Sequence, residues 1–227
     1  NIGSAKITKE EMKDIPHHLI DIVYPDEEYT VANYREDAKK IISDINRRNK
    51  IPMVVGGTGL YVNSLVYDLK FTRAEPNEEI RKRLEELAEE NGNEYLHEML
   101  SKVDRESANR ISVNDRKRMV RALEIYEVTG KPMSVYNKDF RKPIESYNLV
   151  MVGLNMERGA LYNRINQRVD IMVEDGLIEE VQGLLAMGYG KELVSMQGIG
   201  YKEVIMYLEG TLTLDESIEL IKQKSRN

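Results

Sequence analysis

The sequence predicts an α/β fold, a parallel sheet core interrupted by a mostly helical insertion domain, and three observations carry that prediction. Short apolar runs at residues 18–23, 53–55 and 148–153 have the length and composition of buried strands. The first two are joined by an amphipathic stretch of helical period, which makes a βαβ unit with parallel strands and a right-handed crossover. Between the second and third runs, the pattern from 77 to about 128 is helical throughout, so that a helical segment interrupts the sheet.

The elements follow in order. Thr30 caps a helix whose apolar residues Val31, Tyr34, Ala38, Ile41, Ile42 and Ile45 keep helical spacing. The run IPMVVGGTGLY, residues 51–61, then turns a strand into a helix through a loop nearly free of side chains. Gly56, Gly57 and Gly59 permit positive φ and close approach, and amide N–H groups at a helix N-terminus suit an incoming oxyanion. Thr58 reads either as the N-cap of an ordinary βα turn or as a hydroxyl that meets a ligand. The loop is not a Walker A loop. The Gly-Lys pairs, Gly130-Lys131 and Gly190-Lys191, are followed by Pro132 and Glu192 and have no glycine five residues upstream.

Breaks near 91–93 and 112–115 divide the helical segment, and helices follow near 158–174, 176–187, 200–208 and 214–225, with a glycine-broken loop at 196–200. The domains expected are a core of 1–74 and 146–227 and an insertion of 75–145. A 41% hydrophobic content with 15 Gly and 6 Pro predicts an ordered, core-forming chain. The absence of cysteine excludes disulfides, thiolate chemistry and Cys-type zinc sites, and fits a reducing, cytoplasmic setting. No apolar run approaches the roughly 20 residues of a membrane span.

A net charge of −6 argues against nucleic acid as a partner when averaged, but the charge is uneven. Residues 105–121 hold Arg105, Arg110, Arg116, Lys117, Arg118 and Arg121 against Glu106 and Asp115, a local excess of four positive charges. Lys117 and Arg121 share a helix face at i and i+4. That spacing is mildly unfavourable unless an anion sits opposite or Glu124 and Glu127 balance a solvated face. Arg164 and Arg168 share a face beside Leu161, Ile165, Val169 and Met172. Two planar forks one turn apart suit a polyanion, unless they pair with Asp170 or Glu157. His17, His18 and His97 form neither a metal-ligand pattern nor a Ser/His/Asp arrangement.

Several ordered motifs carry a resemblance over essentially the whole chain. They are Ile2-Gly-Ser-Ala-Lys6, Pro16-His-His-Leu-Ile-Asp21, Val55-Gly-Gly-Thr-Gly-Leu-Tyr61, Asn114-Asp-Arg-Lys-Arg-Met-Val-Arg-Ala-Leu-Glu124 with Thr129-Gly-Lys-Pro132, Leu161-Tyr-Asn-Arg-Ile-Asn-Gln-Arg-Val-Asp170 leading to Gly176-Leu177, and Gln197-Gly-Ile-Gly-Tyr-Lys202. In these the chain resembles the tRNA dimethylallyltransferases, also called tRNA isopentenyltransferases. The resemblance implies a P-loop-NTPase-like core, an insertion that grips the anticodon arm, and transfer of a dimethylallyl group from dimethylallyl diphosphate to the exocyclic N6 of adenine 37 in tRNA.

On the matching positions, the resemblance implies Thr58 and Arg168 at the reaction centre, and Arg164, Arg168, Gly56 and Gly57 at the diphosphate. It implies tRNA contacts at Thr58, Arg81, Lys117, Arg118, Met119, Val120, Arg121, Gln197, Gly198, Ile199, Gly200, Tyr201 and Lys202. It further implies Mg²⁺ for the diphosphate and a monomer. Members of the family begin with a P-loop and an Asp-Ser-x-Gln motif whose aspartate is the proposed general base. This sequence starts past both, and it stops before the Lys-Arg-Gln segment expected beyond the last helix. The rival readings are a P-loop-related small-molecule kinase or NTPase and a non-catalytic RNA-binding fragment.

Overall fold

The computed structural model describes residues 1–67, 76–136 and 147–226. The chain divides into two compact units, one of Asn1–Tyr29 with Val150–Asn227 and one of Thr30–Leu149. The domain boundaries expected at 74/75 and 145/146 fall outside the described residues.

The second unit opens with α1 (Val31–Arg47) and α2 (Gly59–Val66). Thr30 starts α1 with a capping box: its hydroxyl accepts from the Asn33 amide at 3.3 Å, and the Asn33 side chain accepts from the Thr30 amide at 2.9 Å. The two helices pack together, with Tyr34 and Tyr61 stacked at 4.3 Å between centroids.

Five more helices of this unit share a core: α3 (Glu78–Asn91), α4 (Asn93–Val103), α5 (Arg105–Arg110), α6 (Arg116–Thr129) and α7 (Met133–Tyr136). Leu84 and Ala88 on α3, Leu96 and Leu100 on α4, and Met119, Ala122 and Leu123 on α6 bury the i, i+3, i+4 faces that their spacing prescribes. Asn77 caps α3 through Ile80, and Asp104 caps α5 through Ser107.

The first unit carries α8 (Arg158–Glu174), α9 (Leu177–Ala186), a 3₁₀ turn (Val194–Gln197), α10 (Tyr201–Leu208) and α11 (Leu214–Ser225). Val169, Leu177, Val181, Met196, Val204, Ile205 and Ile221 form its core. Thr213 and Glu216 close a capping box on α11.

The expected parallel sheet is corrected. Among the described residues no strand is present, and residues 18–23, 53–55 and 148–153 lie outside regular structure. A strand is made by a ladder of hydrogen bonds to a neighbouring strand, and an apolar run supplies only the side chains for one. Leu19 and Asp21 have φ of 60° and 55°, in the left-handed region, which breaks the alternation a strand requires. Met53, Val55, Val150 and Val152 are three-quarters or more exposed instead of buried on a sheet face. Most helices, in contrast, fall where periodicity puts them, although Asp104 divides the run expected between 93 and 112, and α7 lies beyond the expected helical segment.

Candidate functional site

In the first unit, a cavity of about 280 Å³ brings together three of the stretches singled out in the sequence. Arg168 on α8 lines it beside Gly3, Ser4 and Ala5 of the amino-terminal segment and Ile199 and Gly200 ahead of α10, while Ile165, Val169, Met172 and Ile221 supply apolar wall.

The amino-terminal segment is held by Glu180 on α9, a residue that spacing did not single out. Its carboxylate accepts the Ile2 amide at 2.8 Å, the Gly3 amide at 3.2 Å and the Tyr201 hydroxyl at 2.6 Å. Gly3 must be glycine, because a Cβ there would lie 2.4 Å from the Tyr201 ring. Lys6 pairs with Asp21 at 2.5 Å, which joins the Ser-Ala-Lys and His-His-Leu-Ile-Asp motifs.

Gly200 has φ 98° at the start of α10, a conformation that L side chains rarely adopt. Its amide donates to the buried Glu203 at 2.8 Å, and Lys224 on α11 donates to the other oxygen of that carboxylate at 2.9 Å. The Gln197 side chain donates to the Lys191 carbonyl. Gly198, Ile199 and Lys202 are exposed, whereas Tyr201 is half-buried against Glu180.

Arg164 and Arg168 are both exposed on α8. The carboxylates that could have paired with them are engaged elsewhere. Asp170 takes Lys222 of α11 at 2.8 Å, and Glu157 accepts the Gly159 and Ala160 amides at 2.8 Å as the N-cap of α8. Those amide bonds hold the Glu157 carboxyl below the usual range. Among the described residues neither Arg164 nor Arg168 makes an ion pair, so their charge is available to an anion.

The second unit carries the other predicted residues. Gly56, Gly57, Thr58 and Gly59 are exposed, and a Cβ on any of the three glycines would meet nothing within 4 Å. Thr58 stands at the N-cap of α2, yet its side chain makes no cap hydrogen bond. Of the two readings of Thr58, the N-cap position is thus the one observed, but without the side-chain bond that reading expects. At φ −74° and ψ 95° the Thr58 carbonyl starts the helix by accepting from Tyr61 and Val62, and the hydroxyl is not used there.

On α6, Lys117 is exposed, and Arg118 pairs with Asp115 at 3.3 Å. Met119 and Val120, expected among the tRNA contacts, are buried at 0% and 4% exposure in the helical core. Their place between Arg118 and Arg121 on a 3.6-residue helix turns them inward, so their side chains offer no surface to a partner. Arg81 on α3 and Arg121 both bind Glu124, which is fully buried instead of balancing a solvated face. Burial alone would push the Glu124 carboxyl up, but hydrogen bonds from Arg121, the Asn77 amide and Arg81 outweigh it and hold it below the usual carboxylate range.

The first unit thus carries an apolar cavity lined by Arg168, and the second carries the basic helix α6. The chain belongs to the IPP transferase family, whose family model matches residues 1–227. It is 51% identical over 228 residues to a tRNA dimethylallyltransferase of Thermoanaerobacter sp. (strain X514), a match that covers 100% of this chain and 72% of the relative. A tRNA dimethylallyltransferase of Caldanaerobacter subterraneus subsp. tengcongensis is 52% identical, again over 100% of this chain and 72% of its own length.

Among solved structures, the full-length tRNA isopentenylpyrophosphate transferase of Bacillus halodurans superposes with a TM-score of 0.67 at 44% identity, over 99% of this chain and 69% of that one. A eukaryotic dimethylallyltransferase acting on tRNA reaches a TM-score of 0.80 at 29% identity, over 99% and 57%. Among the described residues, no helix is long and apolar enough to cross a membrane.

Proposed function

We propose that this chain transfers the dimethylallyl group of dimethylallyl diphosphate to N6 of adenine 37 in tRNA. The observation that carries this reading is the cavity in which Arg168 meets the Gly3-Ser4-Ala5 segment and the Ile199-Gly200 loop. In the transfer, the allylic C–O bond breaks, a C–N bond forms to N6, N6 gives up a proton, and diphosphate leaves. Charge grows on the leaving oxygens as the bond breaks, and a fixed cation stabilises that change better than it stabilises the bound donor. We assign this role to Arg168, which lines the cavity, whereas Arg164, one turn earlier on α8, is not part of that lining. The apolar wall of the cavity suits a hydrocarbon chain, and the adjacent loop, pinned by Glu203, suits the target nucleotide. The adenine leaves its stack to react, which costs a few kcal/mol and calls for such a preformed pocket.

The expected Mg²⁺ finds no ligand set among the described residues, where no three His, Asp or Glu side chains converge. A Mg²⁺ ion that accompanies the diphosphate would be held mainly by phosphate oxygens and water, which requires no such cluster. Membership of the family sets the small-molecule kinase reading aside.

The reading is tested by incubating the enzyme with tRNA and dimethylallyl diphosphate labelled in the allyl group. Label on N6 of one adenine of the anticodon arm is expected. Retention of tRNA with no label transferred would favour RNA binding alone.

Two variants refine the assignment. Thr58→Val is expected to melt with the parent, because no side-chain cap bond is lost, while transfer falls about tenfold or more if its hydroxyl meets a charged reactant. Thr58→Ser should keep both properties, and parental transfer by Thr58→Val would leave that hydroxyl without a role. Lys117→Ala is expected to raise KM for tRNA and leave kcat nearly unchanged, and to flatten the log-log salt dependence of tRNA binding by roughly one unit. An unchanged salt slope would remove Lys117 from the interface.

A further inference from the structure

We infer that Glu124 is a positioning residue for tRNA binding, a buried carboxylate that holds Arg81 and Arg121 together as one preformed guanidinium pair facing the RNA backbone. The inference rests on the tRNA-modifying reading above and adds to it a residue that contacts no substrate. Glu124 lies inside α6 with no exposed surface. One of its oxygens accepts the Asn77 amide at 2.7 Å and Arg81 Nε at 2.9 Å, and the other accepts Arg121 Nη1 at 2.6 Å. Arg81 comes from α3 and Arg121 from α6, so the carboxylate ties the start of one helix to the middle of another.

Both arginine side chains remain one-third exposed, which puts the inner edge of each guanidinium on Glu124 and leaves part of each at the surface. Taken by themselves, two guanidiniums against the one carboxylate of Glu124 carry an excess of positive charge. Among the described residues Arg81 also pairs with Glu78, at 3.1 Å and four-fifths exposed. An exposed pair of that kind contributes little, and a phosphate can replace it.

The chemistry argues for a role beyond packing. Burying a carboxylate is costly, and a hydrophobic residue of similar volume fills such a position as well or better when nothing depends on the charge. A free arginine loses rotamer freedom each time it binds phosphate. One already fixed by a buried partner has lost that freedom on folding, so more of the contact appears as affinity. The planar fork also keeps its orientation only when one edge is held.

The experiment is a set of variants in the active enzyme: Glu124→Gln, Arg81→Ala with Arg121→Ala, the triple combination, and Arg81→Lys with Arg121→Lys. Each is assayed for tRNA affinity across a salt series, for KM and kcat, and for melting temperature. Glu124→Gln is expected to weaken tRNA binding by roughly five- to tenfold through KM with kcat little changed, and to have less than about a twofold effect once both arginines are gone. A lowered melting temperature with unchanged tRNA affinity would make Glu124 a strut and overturn the proposal, as would an equal loss of affinity without the arginines. Should Glu124→Gln not fold, the paired lysine variant keeps cations on Glu124 and loses only the forks. Weakened binding there supports the proposal, and parental affinity overturns it. If the double alanine variant binds and modifies tRNA as the parent does, the inference about Glu124 fails while the proposed transfer activity stands.

Discussion

Replacing Arg168 by alanine is expected to lower kcat for dimethylallyl transfer by roughly 10²-fold or more while leaving tRNA affinity almost unchanged. The size follows from where the charge develops. The diphosphate is already anionic when bound, but its bridging oxygen gains charge only as the allylic bond breaks. A fixed donor aimed at that oxygen therefore acts mainly on the transition state. Arg168 is suited to this because it lines the cavity and its nearest acid in sequence, Asp170, is held by Lys222. Arg168→Lys keeps a cation but loses the fork, so it should recover only part of the rate. Steady-state rates at saturating donor, together with a tRNA titration, decide the matter. Weakened tRNA binding with kcat spared would place Arg168 on the RNA and not on the leaving group.

Asp104→Ala is expected to destabilise the helical core of the second unit by about 3 kcal/mol or more, since three hydrogen-bond donors lose a buried ionised acceptor together. Asp104 is 3% exposed. Its carboxylate accepts the Ser107 amide at 3.0 Å, the Ser107 hydroxyl at 2.6 Å and the Ser134 amide at 2.9 Å, and so joins α5 to α7 across 30 residues of sequence. Burial works to raise the pKa of this group, but the bonds from Ser107 and Ser134 outweigh it and hold the carboxyl below its ordinary range. A folded-state pKa below the unfolded one means the contribution is fully present above the unfolded value, near pH 4, and is lost as pH falls through the folded value. Glu124, also held low, acts in the same direction. Urea unfolding of the parent between pH 7 and pH 3 should therefore show stability falling on the acid side, and Asp104→Asn should be less stable at pH 7 with a shallower fall. An Asn variant with the parental pH dependence would mean that the carboxylate is not ionised in the fold.

Residues near in sequence determined what a sequence can determine. The capping box at Thr30, the acceptors at Asn77 and Asp104, and the 3.6-residue recurrence of Leu84–Ala88 and Leu96–Leu100 are local relations, satisfied within one or two turns of the same helix. Most helices of both units were legible for that reason, whereas the break that Asp104 makes between α4 and α5, and the short α7, were not expected. The pairing of Arg164 with Arg168 on one face of α8 was legible too, since i and i+4 are neighbours whatever the surroundings.

Only the tertiary structure decided which of those charges remain available. Lys222, 52 positions along the chain, removes Asp170 from Arg168, and Arg81, 43 positions away, converts Glu124 from a surface counter-charge into a buried hub. The turn of Met119 and Val120 into the core follows from their helical phase, whereas the expectation that they meet tRNA came from the family resemblance, which carries no information on which way a side chain faces. The apolar runs at 18–23, 53–55 and 148–153 mark the opposite limit. A helix closes its hydrogen bonds within itself, whereas a strand exists only when another stretch of chain lies alongside to complete the ladder, and no periodicity in the run supplies that partner.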